Sequence, residues 1–463
     1  MAHIKIRKGL DIPISGKPMG DPMPLILSGE ASPRSAPHQI ALDLNPFEDL
    51  KFKVLVRLED KVKLGQPIVE DKDCPGRYFV APAGGVIREI RRGLKRRLLD
   101  VVIEVERPEE VEKHPILDPR QLSRQELIER LKLGGLFAHI RQRPFNFLAE
   151  PYKVPRSIFV KAIESLPFTP SAEMQVAGYE KEFQTGLDVL AKLTDGHVHL
   201  IYRQGTTTKA FSEAKGVQRH TAEGPHPVSN PSVHISRLDP IRSVEDIVWT
   251  LNAHTVIMIG YLFMHGEYFV SRVVSIAGPG ILEGKTGYFK VREGFPVSAL
   301  VAGRLKKGYV RLISGEPLRG RQVESEDYLG FEDTVFCALP ENTKREFMHF
   351  FRLGMDKYTY SGTYVSGHLD NSQKEYDFST SQHGESRPFI DGTMSDEVMP
   401  LNVSPMNLVK AVLAEDYDLA VQLGLLEVDS EDFDLPTFVC PSKIEMMEII
   451  KKGLQRYSGE MLK

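Results

Sequence analysis

Cysteine is scarce in this sequence. The 463 residues include three, Cys74, Cys337 and Cys440, far apart and with no CxxC pair. That pattern argues against a disulfide framework, a zinc site or a self-contained iron–sulfur cluster. An excess of charge of one sign is also missing: 59 Lys and Arg face 63 Asp and Glu, a formal net charge of -4. Nothing global therefore recommends nucleic acid as a partner. Long apolar runs are absent too. The longest uncharged stretch, "IVWTLNAHTVIMIGYLFM" from Ile247 to Met264, contains Thr250, Asn252, His254 and Thr255. It falls short of the ~20 apolar residues that span a bilayer, and it reads as a helix turning into a buried strand. The opening "MAHIKIRKGLDIP" has no apolar h-region, so no secretory signal is expected. These absences predict a soluble, cytoplasmic protein of about two to four domains.

What is present divides the chain four ways: 1–108, 109–268, 269–342 and 343–463. The first segment is rich in short β-type runs with Gly/Pro punctuation, as in "FKVLVRLEDKVKLGQPIVEDKD" and "RYFVAPAGGVIREI". "APAGGVI" with "VKLGQPIVE" upstream resembles the biotinyl/lipoyl carrier fold, a flattened β-sandwich. The place of the carrier's modified lysine falls on Cys74, and Lys72 is flanked by Asp71 and Asp73, so a borrowed scaffold is the expected reading. The basic run Arg88 to Arg97 (Arg88, Arg91, Arg92, Lys95, Arg96, Arg97) reads as a solvated hairpin. Its functional alternative is a docking patch for anionic headgroups or an acidic partner.

The second segment alternates helix and strand. Ser123 and Glu126 form a capping box, Leu122 and Leu127 a hydrophobic staple, and Gly134-Gly135 a stop. "SIFVKAI" and "HVHLIYR" read as strands around a helix with Phe183, Leu187, Leu190 and Leu193 on one face. This order predicts a Rossmann-like parallel sheet, but one without the nucleotide fingerprint. After Ile163 the chain reads "ESLPFTPSAE", with no glycine to let backbone N–H groups approach phosphate. The pairs His197/His199 and His226/His234 lack an accompanying carboxylate cluster and are expected to be structural or surface residues.

The third segment opens on a decoy. "VVSIAGPGILEGKT" approaches a P-loop, yet Pro279 stands at the first glycine position and "GYFKVREGFP" follows Thr286 where a helix is required. A hairpin is predicted instead, then a helix in "PVSALVAGRL" and a strand in "YVRLISGEPLRG", the order of a β-grasp (SLBB, ubiquitin-like) domain. The fourth segment is mainly helical. Ser404 is a candidate N-cap with Pro405 at the first helical position and Gly424 as the stop, and Ser442 with Glu445 a second capping box. Between these helices, "SEDFDLPTFVCPSKIE" has the C-x2-C-x2-C-x3-C-P spacing of a ferredoxin loop. Ser430, Phe433 and Pro436 occupy the first three slots and only Cys440 remains. Cys440 is therefore expected to be a small packed residue.

The fold class is thus multidomain α/β and α+β. The signatures "IKIRKGLDIPISG", "APAGGVI", "GLFAHIRQRPF", "AEGPHPV", "RVVSIAGPGI", "VRLISGEPLRG", "DYLGF" and "TFVCPSKIE" occur in that order. Together they resemble the family of A subunits of the bacterial Na+-translocating NADH:quinone oxidoreductases (Na+-NQR). That family is related to the C subunit of the Rnf complex and to the NADH-binding flavoprotein subunit of complex I. The resemblance implies a degenerate iron–sulfur domain at 343–463 and a faded flavin/NADH loop in "LGGLFAHIRQRPF", where Arg141, Arg143 and Pro144 replace small residues. It also implies a respiratory-chain subunit, peripheral on the cytoplasmic face of the inner membrane and held by subunits B to F. The complex as a whole passes electrons from NADH to ubiquinone and exports Na+, with its flavins and iron–sulfur centres on other subunits. No cofactor is expected on this chain, and no catalytic, cofactor-binding or metal residue is assigned. A direct ubiquinone-binding subunit is the alternative; an Rnf-type electron carrier would require cysteine sets that this chain lacks.

Overall fold

In the computed structural model, residues 1–25, 38–343, 347 and 351–461 are described. The expected segments 1–108 and 343–463 thus lie in part outside the described residues. A seven-stranded sheet forms the centre. Its middle strands, Gln218–Glu223, His197–Arg203, Ser157–Ala162 and Val248–Asn252, lie side by side and parallel. Numbered along the chain from Ser157, their order is third, second, first, fourth. Alternation along each strand sends side chains to opposite faces. Ile158, Val160 and Ala162 pack with the helices Arg124–Leu133, Glu180–Leu193 and Ala253–His265. Phe159 and Ile163 pack on the other face with the helix Pro231–Leu238 and the C-terminal helices.

The apolar stretch from Ile247 corrects the sequence reading. It is a strand, Val248–Asn252, turning into a helix, Ala253–His265, the reverse of the expected order. Asn252 ends the strand and caps the helix, its Oδ1 accepting from the Thr255 amide at 2.8 Å. Val256, Ile257, Met258 and Ile259 are all buried. A helix apolar on every side has no amphipathic period to reveal it, and its β-branched residues imitate a strand.

The β-rich segment folds as two layers. Gln39–Asp43, Leu98–Val105, Gly85–Arg92 and Lys61–Val62 make one sheet; Phe52–Val54, Pro67–Asp71 and Tyr78–Val80 make the other. Ile40, Leu42, Phe47, Ile68, Phe79 and Ile87 fill the space between. The residues before it belong elsewhere. His3–Lys5 adds a parallel edge strand to the central sheet, and Met23–Pro24 does the same for a fourth, six-stranded sheet. That sheet runs Arg321–Val323, Val310–Ser314, Val335–Pro340, Ser271–Ala277, Gly287–Arg292, Met23–Pro24. Ser271–Ala277 and Gly287–Arg292 form an antiparallel hairpin, so the P-loop-like segment between them is a turn, as its sequence predicts.

Three further expectations are corrected. The helix from Pro405 stops at Leu413, and a second, Tyr417–Gln422, begins after Glu415 enters the left-handed region and Asp416 caps it. Ser442 does not cap the final helix, Met446–Met461; its hydroxyl donates to the Pro388 carbonyl at 3.0 Å. The segment from Arg141 to Arg143 is not a loop but a strand, antiparallel to Val248–Asn252. Among the described residues, no helix is long and apolar enough to cross a membrane.

The helices Glu180–Leu193 and Ala253–His265 cross through two glycines. A Cβ at Gly260 would stand 1.7 Å from the Glu182 carbonyl oxygen, and one at Gly186 would stand 2.1 Å from that of Val256. Backbone cannot yield as a flexible side chain can. Gly260→Leu is expected to destabilise the fold by ~3 kcal/mol or more, read as a lower midpoint in thermal or urea unfolding.

Candidate functional site

The two crossovers that flank the first parallel strand leave on opposite faces: Glu180–Leu193 on one and Pro231–Leu238 on the other. A crevice opens beyond the carboxyl ends of the strands at such a reversal, which is where open α/β sheets bind ligands. Two cavities meet there. One, of about 260 Å³, is lined by Lys161, Glu164, Asn252, Glu316, Glu332 and Asp333 among others. The second, of about 760 Å³, shares Lys161, Asn252 and Glu332, and continues past Phe47, Cys74, Arg141 and Phe147 to Ser430 and Leu454.

Four carboxyl groups, from Glu164, Glu316, Glu332 and Asp333, line the smaller cavity beside two cations, Lys161 and Arg319. Lys161 is paired with Glu164 at 2.9 Å. Glu332 is half-buried, and its carboxyl is held below the usual range, because the His139 hydrogen bond (3.2 Å) and the Arg141 charge outweigh desolvation. Burial raises Asp333 against its hydrogen bond from Ser314, and raises Glu316 to about 7 in spite of Arg319. His254 falls to about 3, chiefly through burial, and is neutral while bonded to the Ser271 carbonyl at 2.9 Å. The helix N-termini at this edge are already capped, by Asn252 and by Ser171. A diphosphate would meet carboxylates here instead of free amides.

The loop with ferredoxin-like spacing lies against the same edge. Ser430–Phe433 forms a single 3-10 turn and Asp434–Val439 a short helix. Phe433 and Cys440 are buried in an apolar cluster with Leu408, Val428 and Met446. Ser430, Phe433, Pro436 and Cys440 thus offer one thiol and no nest of thiolates, and they do not fit an iron–sulfur cluster. Instead the loop is locked by charge. Arg319 reaches it from the six-stranded sheet. Its Nε donates to Asp434 at 2.7 Å, and its other nitrogens lie 2.6 Å from Asp434, 2.9 Å from Glu431 and 3.0 Å from Asn230 Oδ1. His226 touches the same Asp434 carboxylate at 3.0 Å and Ser165 at 2.9 Å. Although burial opposes ionisation, Arg319 and His226 bring Asp434 down to about 2. Arg143 is buried and stands 3.7 Å from Asp429 and 2.9 Å from the Ser232 hydroxyl. Asp429 and Asp432 cap one another's backbone, and burial raises both carboxyls.

The residues singled out from sequence are dispersed. Cys74 sits in the turn after Pro67–Asp71, where burial pushes its thiol up. That turn is fixed to the α/β domain: Arg77 pairs with Asp71 at 2.6 Å and donates to the Leu148 and Ala149 carbonyls. Lys72 is exposed on this anchored turn. His197 is exposed; His199 stacks on Phe159 and lies 3.1 Å from His220. His226 and His234 are both buried, the latter bonded to the Val228 carbonyl. Sequence reading missed Arg319, Glu316 and Asn230. The acid-rich run "DSEDFD" was the available signal, since buried carboxylates require cationic or amide partners.

The fold and this site define a multidomain mixed α/β protein whose parallel-sheet crevice is bounded by three domains. Family models match it in series: an NqrA N-terminal barrel-sandwich hybrid domain at residues 4–106, an NqrA second alpha/beta domain at 122–268 and an NQRA C-terminal domain at 273–325. The A subunit of the Na(+)-translocating NADH-quinone reductase of Chlamydia caviae is 38% identical over 99% of this chain and 97% of that protein. Its namesake from Chlamydia pneumoniae is 37% identical over 99% and 98%, and that from Saccharophagus degradans 35% identical over 99% and 100%. A chain of an air-oxidised NAD+-reducing [NiFe]-hydrogenase aligns at 12% identity over 49% of this chain and 48% of that one, with a TM-score of 0.36; this likeness is too slight to carry an argument. The chain belongs to the family of A subunits of Na(+)-translocating NADH-quinone reductases.

Two outcomes follow from the charge network. Arg319→Met leaves Asp434 and Glu431 buried without their cation and is expected to cost ~3–5 kcal/mol, measured by denaturant unfolding. Glu316 behaves oppositely. Its carboxyl is raised on folding, so the folded state binds the proton more tightly, and stability falls as pH rises from about 4.5 to about 7. Glu316→Gln is expected to flatten that part of the melting-temperature profile and to raise the midpoint above pH 7, with little change below pH 4.5.

Proposed function

We propose that this chain is a cofactor-free, peripheral subunit of a Na+-translocating NADH:ubiquinone reductase, on the cytoplasmic face of the bacterial inner membrane. There it assembles and stabilises the membrane and peripheral subunits B to F while electrons pass from NADH to ubiquinone and Na+ is exported. The flavins and iron–sulfur centres belong to the other subunits. In this reading the central sheet is a Rossmann-like core, its third-second-first-fourth order matching one half of a doubly wound fold. The six-stranded sheet is a β-grasp (SLBB) module, and the helical end is a degenerate iron–sulfur domain.

The observation that carries the reading is Arg319. Where electrons would enter a cluster, the loop is tied by a half-buried guanidinium to Asp434 and Glu431. The carboxyl-lined crevice and its capped helices support the same conclusion for a dinucleotide. A second reading, direct ubiquinone binding, is favoured by the cavity of about 760 Å³. Phe47, Phe145, Phe147 and Leu148 supply apolar wall, and His139 and Arg141 supply polar groups suited to quinone carbonyls.

Flavin, iron and bound NADH in the purified chain are expected to be far below one per molecule; stoichiometric amounts of any would overturn the first reading. Photo-crosslinking of a quinone analogue in the intact complex separates the two. Label confined to membrane subunits supports the scaffold, and label at Phe47 or Arg141 supports quinone binding.

A further inference from the structure

We propose that the tip of the hairpin formed by Gly85–Arg92 and Leu98–Val105 is an anchor for an anionic phospholipid surface, with Leu94 as its apolar point and Arg92, Lys95 and Arg96 as its charges. The structure separates the basic run into two groups. Arg88 is paired with Glu59 and Glu104, Arg91 with Glu89 and Asp100, and Arg97 with Glu48. These three belong to the protein's own surface. Among the described residues, no carboxylate pairs with Arg92, Lys95 or Arg96, and all three are exposed. Arg92 donates to the Arg96 carbonyl at 3.1 Å, which holds its guanidinium beside the turn.

The backbone of the tip is the second observation. The Arg97 amide donates to the Leu94 carbonyl at 3.1 Å, enclosing a two-residue turn. Lys95 and Arg96 both lie in the left-handed region, at φ 54° and 62°. A two-residue hairpin turn with positive φ at both positions favours Asn-Gly, because other side chains crowd the backbone there. Here the chain places two long cations where the turn itself would select against them. Next to them Leu94 is 93% exposed. The turn is therefore formed at a conformational cost by residues whose side chains do nothing for the fold.

A lipid surface suits these features better than a protein does. A stable protein interface buries about 800 Å² on each partner, and a two-residue tip offers a small part of that. An anionic bilayer asks for less. Each cation close to the headgroups contributes, and one apolar side chain enters the boundary with the acyl region. Lysine and arginine around a leucine match that layer in both charge and polarity. The inference rests on the membrane setting of the proposed complex, but its vesicle arms need no other subunit, so a negative vesicle result would leave the assembly reading standing.

The test is sedimentation of the full chain with vesicles of phosphatidylcholine alone and of phosphatidylcholine enriched in phosphatidylglycerol. The chain is expected to sediment with the anionic vesicles, to remain in solution with the neutral ones, and to be released by salt. Lys95→Asn/Arg96→Gly gives the turn the residues its backbone favours, so its melting midpoint is expected to hold or rise. Its partition onto anionic vesicles is expected to fall roughly thirty-fold, with the loss of two surface cations. Leu94→Ser is expected to weaken partition at unchanged charge. No sedimentation of the parent chain, equal sedimentation with both vesicle types, or unchanged partition of the double variant would each overturn the proposal. So would a double variant that partitions normally but fails to join the detergent-solubilised membrane subunits, which would assign the tip to a protein partner.

Discussion

One half-buried guanidinium holds the molecule's parts in register. Arg319 leaves a turn of the six-stranded sheet, meets Asn230 at the start of a helix from the parallel-sheet domain, and ends on Asp434 and Glu431 of the helical domain. Three chain segments far apart in sequence meet at this one cation. Taking such charges from water is expensive and returns little net stability, whereas leaving any member alone is severely destabilising. Its value is specificity: few alternative arrangements of the three domains satisfy all of these groups at once. Other ties repeat the pattern at lower intensity. Arg77, held by Asp71, fixes the β-sandwich to the α/β domain through the Leu148 and Ala149 carbonyls, and Arg292, held by Glu109, fixes it to the six-stranded sheet through the Pro82 carbonyl.

A cluster loop and an ion-pair clasp solve the same mechanical problem. In a ferredoxin-like loop, thiolates converge on a metal that crosslinks the backbone. Here the loop's acids converge on a cation supplied by a neighbouring domain. Asp434 and Glu431 lie between the four positions with ligand spacing, and their pairing with Arg319 holds the loop tightly folded by charge. The crosslink now runs between domains and serves their relative placement.

Much of this architecture was legible in the sequence where a pattern had a local cause. The Ser123–Glu126 capping box formed as expected. The helix with Phe183, Leu187, Leu190 and Leu193 on one face buries that face, and Pro279 and Gly287 correctly disqualified the P-loop. The errors share a different cause. Ala253–His265 is apolar on all sides, so it had no period to read. Ser442 found a carbonyl in another segment before it could cap its own helix. Arg319 was invisible as a site residue because its partner lies 115 positions away; one sequence carries no mark of which distant charges will meet. The lone Cys440 is packed in an apolar core, as its sequence setting predicted.

The strand His3–Lys5 has a consequence for synthesis. It is hydrogen-bonded in parallel to Gln218–Glu223, and Ala2 is bonded to His220, 218 positions later. A ribosome making about 5–20 residues per second leaves that strand without its partner for roughly ten seconds or more. During this time the β-sandwich can close, since its strands are near neighbours in the chain, while the first strand waits as an unpaired edge. Such edges recruit other strands. Until the partner strand emerges, this early segment of the nascent chain is without its native pairing, and shielding it would act at that one step.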